Sequence, residues 1–292
     1  MSYQVSQQDK TATAALRRIA RAELRAAIKL LEGPDSGQPA AIHGVRKSIK
    51  RLRGLLSLVE PGFAGFDRED KSLREAARHL APLREKDQLR ATIAHLKTSA
   101  TPSELATLDR LRRSLPDIPA ARSAAARLAD CGQILRAMRK RAKGWKLRRQ
   151  GFAAIATGLS ATWRRAKARQ KVAERLGSAH AIHDWRKEVK HHGYQAQLLA
   201  PIRPARMLSH AEAVGILGEL LGDHHDLAVL EAYVTTSALD DSGRKELAAM
   251  LHKHQARLVS SAQDLAARTF DSSRKAVVKR WRNWWQDWRA TD

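Results

Sequence analysis

A single cysteine, Cys131, occurs in the sequence, which excludes an internal disulfide or a thiolate cluster around a metal and suits a reducing compartment. Between Asp130 and Gly132 it reads as a small buried residue rather than a nucleophile. Aromatic residues make up only 5% of the chain. No apolar run approaches the roughly 18 residues that a membrane-spanning helix needs. The opening residues, Met1 to Lys10, are polar and carry no apolar segment of the secretory kind, so the expected setting is the cytoplasm. β-Branched residues are sparse and no segment alternates with period two for long, which argues against a sheet protein. Acidic residues are the most informative shortage: 30 of them face 54 Lys and Arg, for a formal charge of +24. That excess repels itself in a compact chain and attracts polyanions, whether nucleic acid, an acidic membrane surface or polyphosphate.

What is present is helical. Alanine, leucine, arginine and lysine are abundant, all good helix formers. The periodicity predicts an all-α protein with helices at about 8–32, 40–59, 67–81, 85–98, 103–115, 119–143, 148–174, 179–199, 204–221, 225–238, 242–270 and 274–289. Breakers agree: Gly33-Pro-Asp-Ser-Gly-Gln-Pro39, Pro61-Gly62, Pro116, Pro119, Pro201 and Pro204 fall between these segments.

Residues 41–61 repeat at 181–201. Eight of the 21 aligned positions are identical: Ala41/Ala181, Ile42/Ile182, His43/His183, Arg46/Arg186, Lys47/Lys187, Lys50/Lys190, Leu58/Leu198 and Pro61/Pro201. The preceding helices keep the same offset, with Arg25/Arg165 and Lys29/Arg169 in register. A period this long indicates two copies of one helical unit, residues 1–143 and 144–292. Both are cationic, with 29 basic and 15 acidic residues in the first and 25 and 15 in the second.

On a helix, Ile42, Val45, Ile49, Leu52, Leu56 and Val59 share one side. His43, Lys47, Lys50 and Arg51 share the other, flanked by Arg46 and Arg53. In the second copy Ile182, Trp185, Val189, Ala196 and Leu199 make the apolar face, and His183, Arg186, Lys187, Lys190 and His191 the basic one. Helix 8–32 adds Arg18, Arg25 and Lys29 opposite Leu16, Ile19, Leu24, Ile28 and Leu31. A merely solvated face mixes signs, yet residues 43–53 include no acid. Like charges one turn apart cost a few tenths of a kcal/mol per pair, so the run is a liability without a counter-anion. These stripes are the candidate polyanion site. They lack the aromatic platforms of single-strand readers and the motifs of duplex readers, which favours a ligand that is all phosphate. Sequence-independent nucleic-acid binding is the second expectation.

His43-x-x-Arg46-Lys47-x-x-Lys50-Arg51-x-Arg53 is followed by Leu80-Ala-Pro-Leu-Arg84-Glu-Lys-Asp87. His183-x-x-Arg186-Lys187-x-x-Lys190 is followed by Leu221-Gly-Asp-His-His-Asp226-Leu. In this order the motifs resemble the CHAD family, the conserved histidine α-helical domain, over almost the whole chain. The resemblance implies two pseudo-symmetric four-helix bundles side by side with a basic groove or pore between them. It also implies binding of long-chain inorganic polyphosphate and association with polyphosphate granules. By position His43, Arg46, Lys47, Lys50, Arg51 and Arg53 match the first motif, and His183, Arg186, Lys187 and Lys190 the second. The chain departs from the family pattern at Arg84-Glu85-Lys86-Asp87, where Arg-Asp-x-Asp is common, and at His191-His192-Gly193. Gly193 removes the counterpart of Arg53, so the second stripe is expected to bind more weakly or to charge when His191 and His192 protonate. His43 and His183 are expected to donate hydrogen bonds, with more weight below pH 6.5.

The Glu-x-Glu-x-Lys signature of the triphosphate-hydrolysing CYTH domain, which accompanies many CHAD proteins, is not found. A non-catalytic protein without cofactor or bound metal is therefore expected. The rival is metal-dependent phosphohydrolysis at the His-Asp pairs His183-Asp184 and His225-Asp226, with His191, His192 and His224 nearby in sequence. Against it, neither pair recurs in the first copy, and Arg186 and Lys187 disfavour a cation beside His183. Asp87 and Asp226 are expected to accept hydrogen bonds from motif arginines or backbone and fix helix geometry. Trp281, Trp284, Trp285 and Trp288 fall on one helical face, expected to pack on the core or cap the bundle end.

Overall fold

The computed structural model describes residues 3–115 and 121–291, and among these the regular structure is helical throughout. In chain order the helices are α1 (Ala12–Glu32), α2 (Pro39–Val59), α3 (Phe66–Leu80), α4 (Pro82–Lys97), α5 (Pro102–Arg113) and α6 (Ala121–Ala142). They continue as α7 (Ala153–Leu176), α8 (Ala179–Leu198), α9 (Pro204–Thr236), α10 (Asp241–Thr269) and α11 (Arg274–Ala290). They pack in a bundle-like arrangement. Pro116 and Pro119 lie outside the described residues.

Starts follow local chemistry. The side chains of Thr11, Ser178, Asp240 and Ser273 each accept from the backbone N–H three residues on, at Ala14, Ala181, Gly243 and Ala276. Such caps contribute about 1 kcal/mol each. Thr101 and Glu104 close a reciprocal capping box on α5. Thr11 takes the cap of α1, so the helix begins at Ala12 and not near residue 8. Gly151, at φ 57°, turns the chain before α7 starts at Ala153. The two aligned helices end alike: α2 and α8 each run into a 3-10 turn with proline second, Glu60–Gly62 and Ala200–Ile202.

One expectation fails. The separate helices predicted at 204–221 and 225–238 are one helix, α9. Gly222 reads as a breaker but keeps its N–H and is buried within the helix. Near the corresponding place of the first motif Pro82, which has no N–H to give to the preceding turn, ends α3 and starts α4.

The main core joins α1, α2, α3 and α6 to α7, α8, the first half of α9, the end of α10 and α11. A smaller core lies between α4, α5, the second half of α9 and the first half of α10. On α2, Ile42, Val45, Ile49, Leu52, Leu56 and Val59 are all at most 4% exposed. Burying six such side chains is worth on the order of 10 kcal/mol, so this face fixes where the opposite one points. Two glycines bring α2 close to its neighbours. A Cβ on Gly158 of α7 would stand 1.8 Å from the Leu58 carbonyl oxygen, and one on Gly54 2.6 Å from the Tyr194 Cβ of α8. Between the three helices the buried Gln195 amide donates to Ser57 Oγ at 2.9 Å and to Thr162 Oγ1 at 3.0 Å.

Trp281 of α11 is buried, while Trp284, Trp285 and Trp288 are half-buried against the core. The Trp288 carbonyl accepts from the Gln7 amide, and Arg289 donates to the carbonyls of Gln7 and Asp9. The tryptophan-rich helix thus packs on the core and holds the segment around Gln7 and Asp9. Cys131 is fully buried, and burial pushes its thiol up to about 12, as suits a small core residue.

Candidate polyanion-binding face

Because α2 and α8 pack together with their apolar faces inward, their basic faces meet. Burial, followed by the charges of Arg186, Arg46, Arg84 and Lys190, pushes the Lys50 ammonium down to about 8. Arg46 is lowered by burial and then by Arg84 and Arg186. Lys190 is lowered by burial and then by Arg186, and Arg186 mainly by burial. Five cations from three helices therefore share one neighbourhood: Arg46 and Lys50 from α2, Arg84 from α4, Arg186 and Lys190 from α8. Among the described residues none of the five forms an ion pair. The Nε atoms of Arg46 and Arg186 are buried without a hydrogen-bond partner. Leaving a buried donor unmet costs about 1–3 kcal/mol, and the mutual repulsion adds to it.

The outer members of the stripes differ. Arg51 pairs with Glu23 at 3.2 Å and Arg53 with Asp70 at 2.8 Å. Arg165 is held by Glu188 at 3.0 Å and Glu60 at 3.2 Å. Lys187 and Arg169 share Asp184 at 2.9 and 3.7 Å. Arg18 grips both oxygens of Asp9 and donates to the Gln4 carbonyl, which ties it to the N-terminal segment. Arg25, Lys29, His43 and Lys47 are exposed on α1 and α2.

The histidines do not charge near pH 6.5 as expected. His43, though exposed, is lowered by partial desolvation of its ring and by Arg84, Lys50, Lys47 and Arg46. His183 is pushed down to about 4 by burial and by its neighbour His225, whose ring centre is 4.2 Å away. His191 falls to about 3 through burial and then Arg53 and Arg165. His192 turns the other way, fully buried between Trp163 and Trp281, and burial holds it well below the usual imidazole range. A desolvated imidazole among cations stays neutral, so these rings offer hydrogen bonds and no added charge around neutral pH. Gly193 is buried beside Val214 of α9: its added Cβ would stand 3.2 Å from Val214 Cγ1.

Four residues at this face escaped sequence reasoning. Gly218 and Gly222 lie one turn apart on α9 and seat the cations of α8. A Cβ at Gly218 would come 2.8 Å from Lys190 Cε, and one at Gly222 3.3 Å from Arg186 Nε. Their spacing of four in an apolar helix is the signal that could have found them. Arg84 was visible in its motif but not assigned to the stripes. Gln88 of α4 donates to Asp226 Oδ2 at 2.7 Å, so the partner of Asp226 is a side-chain amide and not a motif arginine or backbone group. Burial raises the Asp226 carboxyl, while Arg186, Arg84 and Lys50 pull it down. Asp87 lines a recess of about 270 Å³ with His43, Arg84 and Gln88.

The rings of His183 and His225 adjoin, but their carboxylate neighbours are engaged elsewhere, Asp184 with Lys187 and Arg169 and Asp226 with Gln88. Among the described residues no three His, Cys, Asp or Glu side chains are grouped to hold a metal ion. None of the described helices is long and apolar enough to cross a membrane.

No curated protein and no solved structure matches the chain. The profile of the CHAD domain, a binding domain associated with polyphosphate, matches residues 10–235. That span holds α2, α4, α8 and nearly all of α9, whereas α10 and α11 follow it. With this match running over most of its length, the chain belongs to the CHAD family.

Proposed function

We propose that the protein binds long-chain inorganic polyphosphate along the converging basic faces of α2, α4 and α8, without chemical turnover, and associates with polyphosphate granules in the cytoplasm. The reading rests on one observation: Arg46, Lys50, Arg84, Arg186 and Lys190 crowd together with no ion-paired carboxylate, while Arg51, Arg53, Arg165 and Lys187 of the same stripes are paired. A linear anion with one charge per phosphate supplies the missing partners in sequence. Arg46 and Arg186 offer bidentate guanidinium contacts, and Lys50 and Lys190 point charges. His43, Lys47, Lys187 and the neutral rings of His183 and His191 extend the face. Arg51, Arg53, Arg165 and Arg169 join where phosphate displaces their carboxylates, and Arg25 and Lys29 offer a lane along α1. Residues 1–143 and 144–292 are, in this reading, two copies of one unit that each contribute a stripe.

If five phosphates are neutralised, log affinity should fall with log salt with a slope of about three to four, by the rule for single-stranded polyanions. Replacing Arg46, Lys47, Lys50, Arg186, Lys187 and Lys190 by alanine should abolish polyphosphate binding and leave helicity intact. Retained binding by that variant at moderate salt overturns the assignment. Competition at fixed ionic strength between long polyphosphate and single- or double-stranded nucleic acid separates the two partner classes. Preference for the nucleic acids would replace polyphosphate as the ligand.

A further inference from the structure

A second cavity lies away from the cationic face, where α10 and α11 close over the start of α9. Its volume is about 720 Å³, and none of the five crowded cations lines it. Ligand pockets run from about 300 to 1,000 Å³. Its walls combine two chemistries. Arg206, Arg268 and Arg280 bring three guanidiniums against one carboxylate, Asp271. Trp281 and Trp284 bring aromatic surface, Trp281 buried in the core and Trp284 half-exposed, with the Arg280 guanidinium 5.9 Å from the Trp284 ring centre. Arg206 and Arg268 are exposed and take part in no ion pair among the described residues. His210, also in the wall, meets His192 Nε2 through its own Nε2 at 2.8 Å, so its Nδ1 is the ring nitrogen left for another partner. Both helices that build the outer wall follow the segment matched to the family.

Unpaired guanidiniums select an anion with several charges, and tryptophan beside them selects a planar ring, because stacking on an aromatic side chain is worth about 1–3 kcal/mol per base. A bare phosphate chain would leave the aromatic wall unused. We propose that this cavity binds a nucleoside triphosphate, with the base against Trp284 and the phosphates on Arg206, Arg268 and Arg280. The C-terminal helices thereby give the protein a ligand site separate from its polyphosphate face.

The test is titration of the full-length protein with ATP, followed by tryptophan fluorescence and calorimetry, with adenosine and inorganic triphosphate as single-feature controls. Saturable ATP binding is expected, at least tenfold tighter than either control in competition for this site. Arg206→Ala with Arg268→Ala should weaken ATP at least tenfold. Both positions are exposed, and circular dichroism checks the fold. Trp284→Ala should weaken ATP similarly while leaving long-chain polyphosphate affinity unchanged. Absence of saturable binding, equal affinity for ATP and inorganic triphosphate, or unaltered ATP affinity in the arginine variant overturns the proposal.

Discussion

Arg46 and Lys50 on one side, Arg186 and Lys190 on the other, occupy aligned positions of the repeat, yet their surroundings differ. Arg46 has Arg84 and Arg186 as its electrostatic neighbours, and His43 likewise has only cations. Arg186 has Asp226 and Asp223 beside it, and Lys190 has Glu219 and Asp223. All three carboxylates ride on α9. The difference traces in part to the break at Pro82, which lets α4 deliver Arg84, whereas α9 runs on through Gly222 and delivers Asp223 and Asp226. The same motif is therefore barer in one occurrence, which only Asp226 reaches through Lys50 and Arg84, and more tempered in the other.

The sharpest way to break that contrast is to remove one half at a time. Arg46→Ala with Lys50→Ala should weaken polyphosphate roughly 100-fold, since each charge-assisted contact is worth about 1.5–3 kcal/mol. Arg186→Ala with Lys190→Ala should cost only about tenfold, because Asp226, Asp223 and Glu219 already offset part of the charge those two side chains present. Equal losses, measured by calorimetry at one salt concentration, would erase the distinction.

A pH series probes the bare half next. Lys50 has a folded value of about 8 against 10.5 for the free side chain. Below pH 8 it is charged in both folded and unfolded states. Between 8 and 10.5 the folded chain has released a proton that the unfolded chain keeps, so the free protein gains stability there as pH rises. Binding runs the other way. Polyphosphate needs the ammonium, so affinity should drop about tenfold from pH 7 to pH 9 with proton uptake on binding. Lys50→Arg should flatten the profile, whereas an unchanged slope in that variant would assign the effect elsewhere.

Asp226→Asn addresses the tempered half and should tighten polyphosphate about threefold by unmasking Arg186, in the direction opposite to every other substitution. Gly218→Ala should have the smallest effect. It gains helix propensity of about 1 kcal/mol but crowds Lys190 Cε, for which an added Cβ stands at 2.8 Å. Melting temperature should hold or rise while binding loosens about twofold, a separation that a purely structural role for the glycine would not produce.

The inward faces were legible because period 3.6 depends on each helix alone: Ile42, Val45, Ile49, Ile182, Trp185 and Val189 are buried as the spacing requires. The crowding of the five cations was legible only as far as the repeat implied two similar stripes. Which cations stay unpaired was not, because the partners are distant in sequence: Glu23 for Arg51, Glu60 for Arg165. The continuity of α9 was hidden for a related reason. A glycine is a breaker by its own propensity, and only the side chains of α8 lying against Gly218 and Gly222 show why it is kept inside a helix. The histidine pKa values depend on burial and on neighbouring charge, neither of which spacing reports.

The Gln195 amide, bound to Ser57 and Thr162 beneath the crossing of α2, α7 and α8, has a thermodynamic consequence. With Gly158 pressed on the Leu58 carbonyl, the seam has no slack by which the two helices could swing apart and relax their like charges. The strain is therefore carried by the native state itself, and any polyanion that neutralises it adds its binding energy directly to the stability of the fold. Heat resistance then becomes a gauge of phosphate occupancy, rising with ligand while the backbone stays where it is.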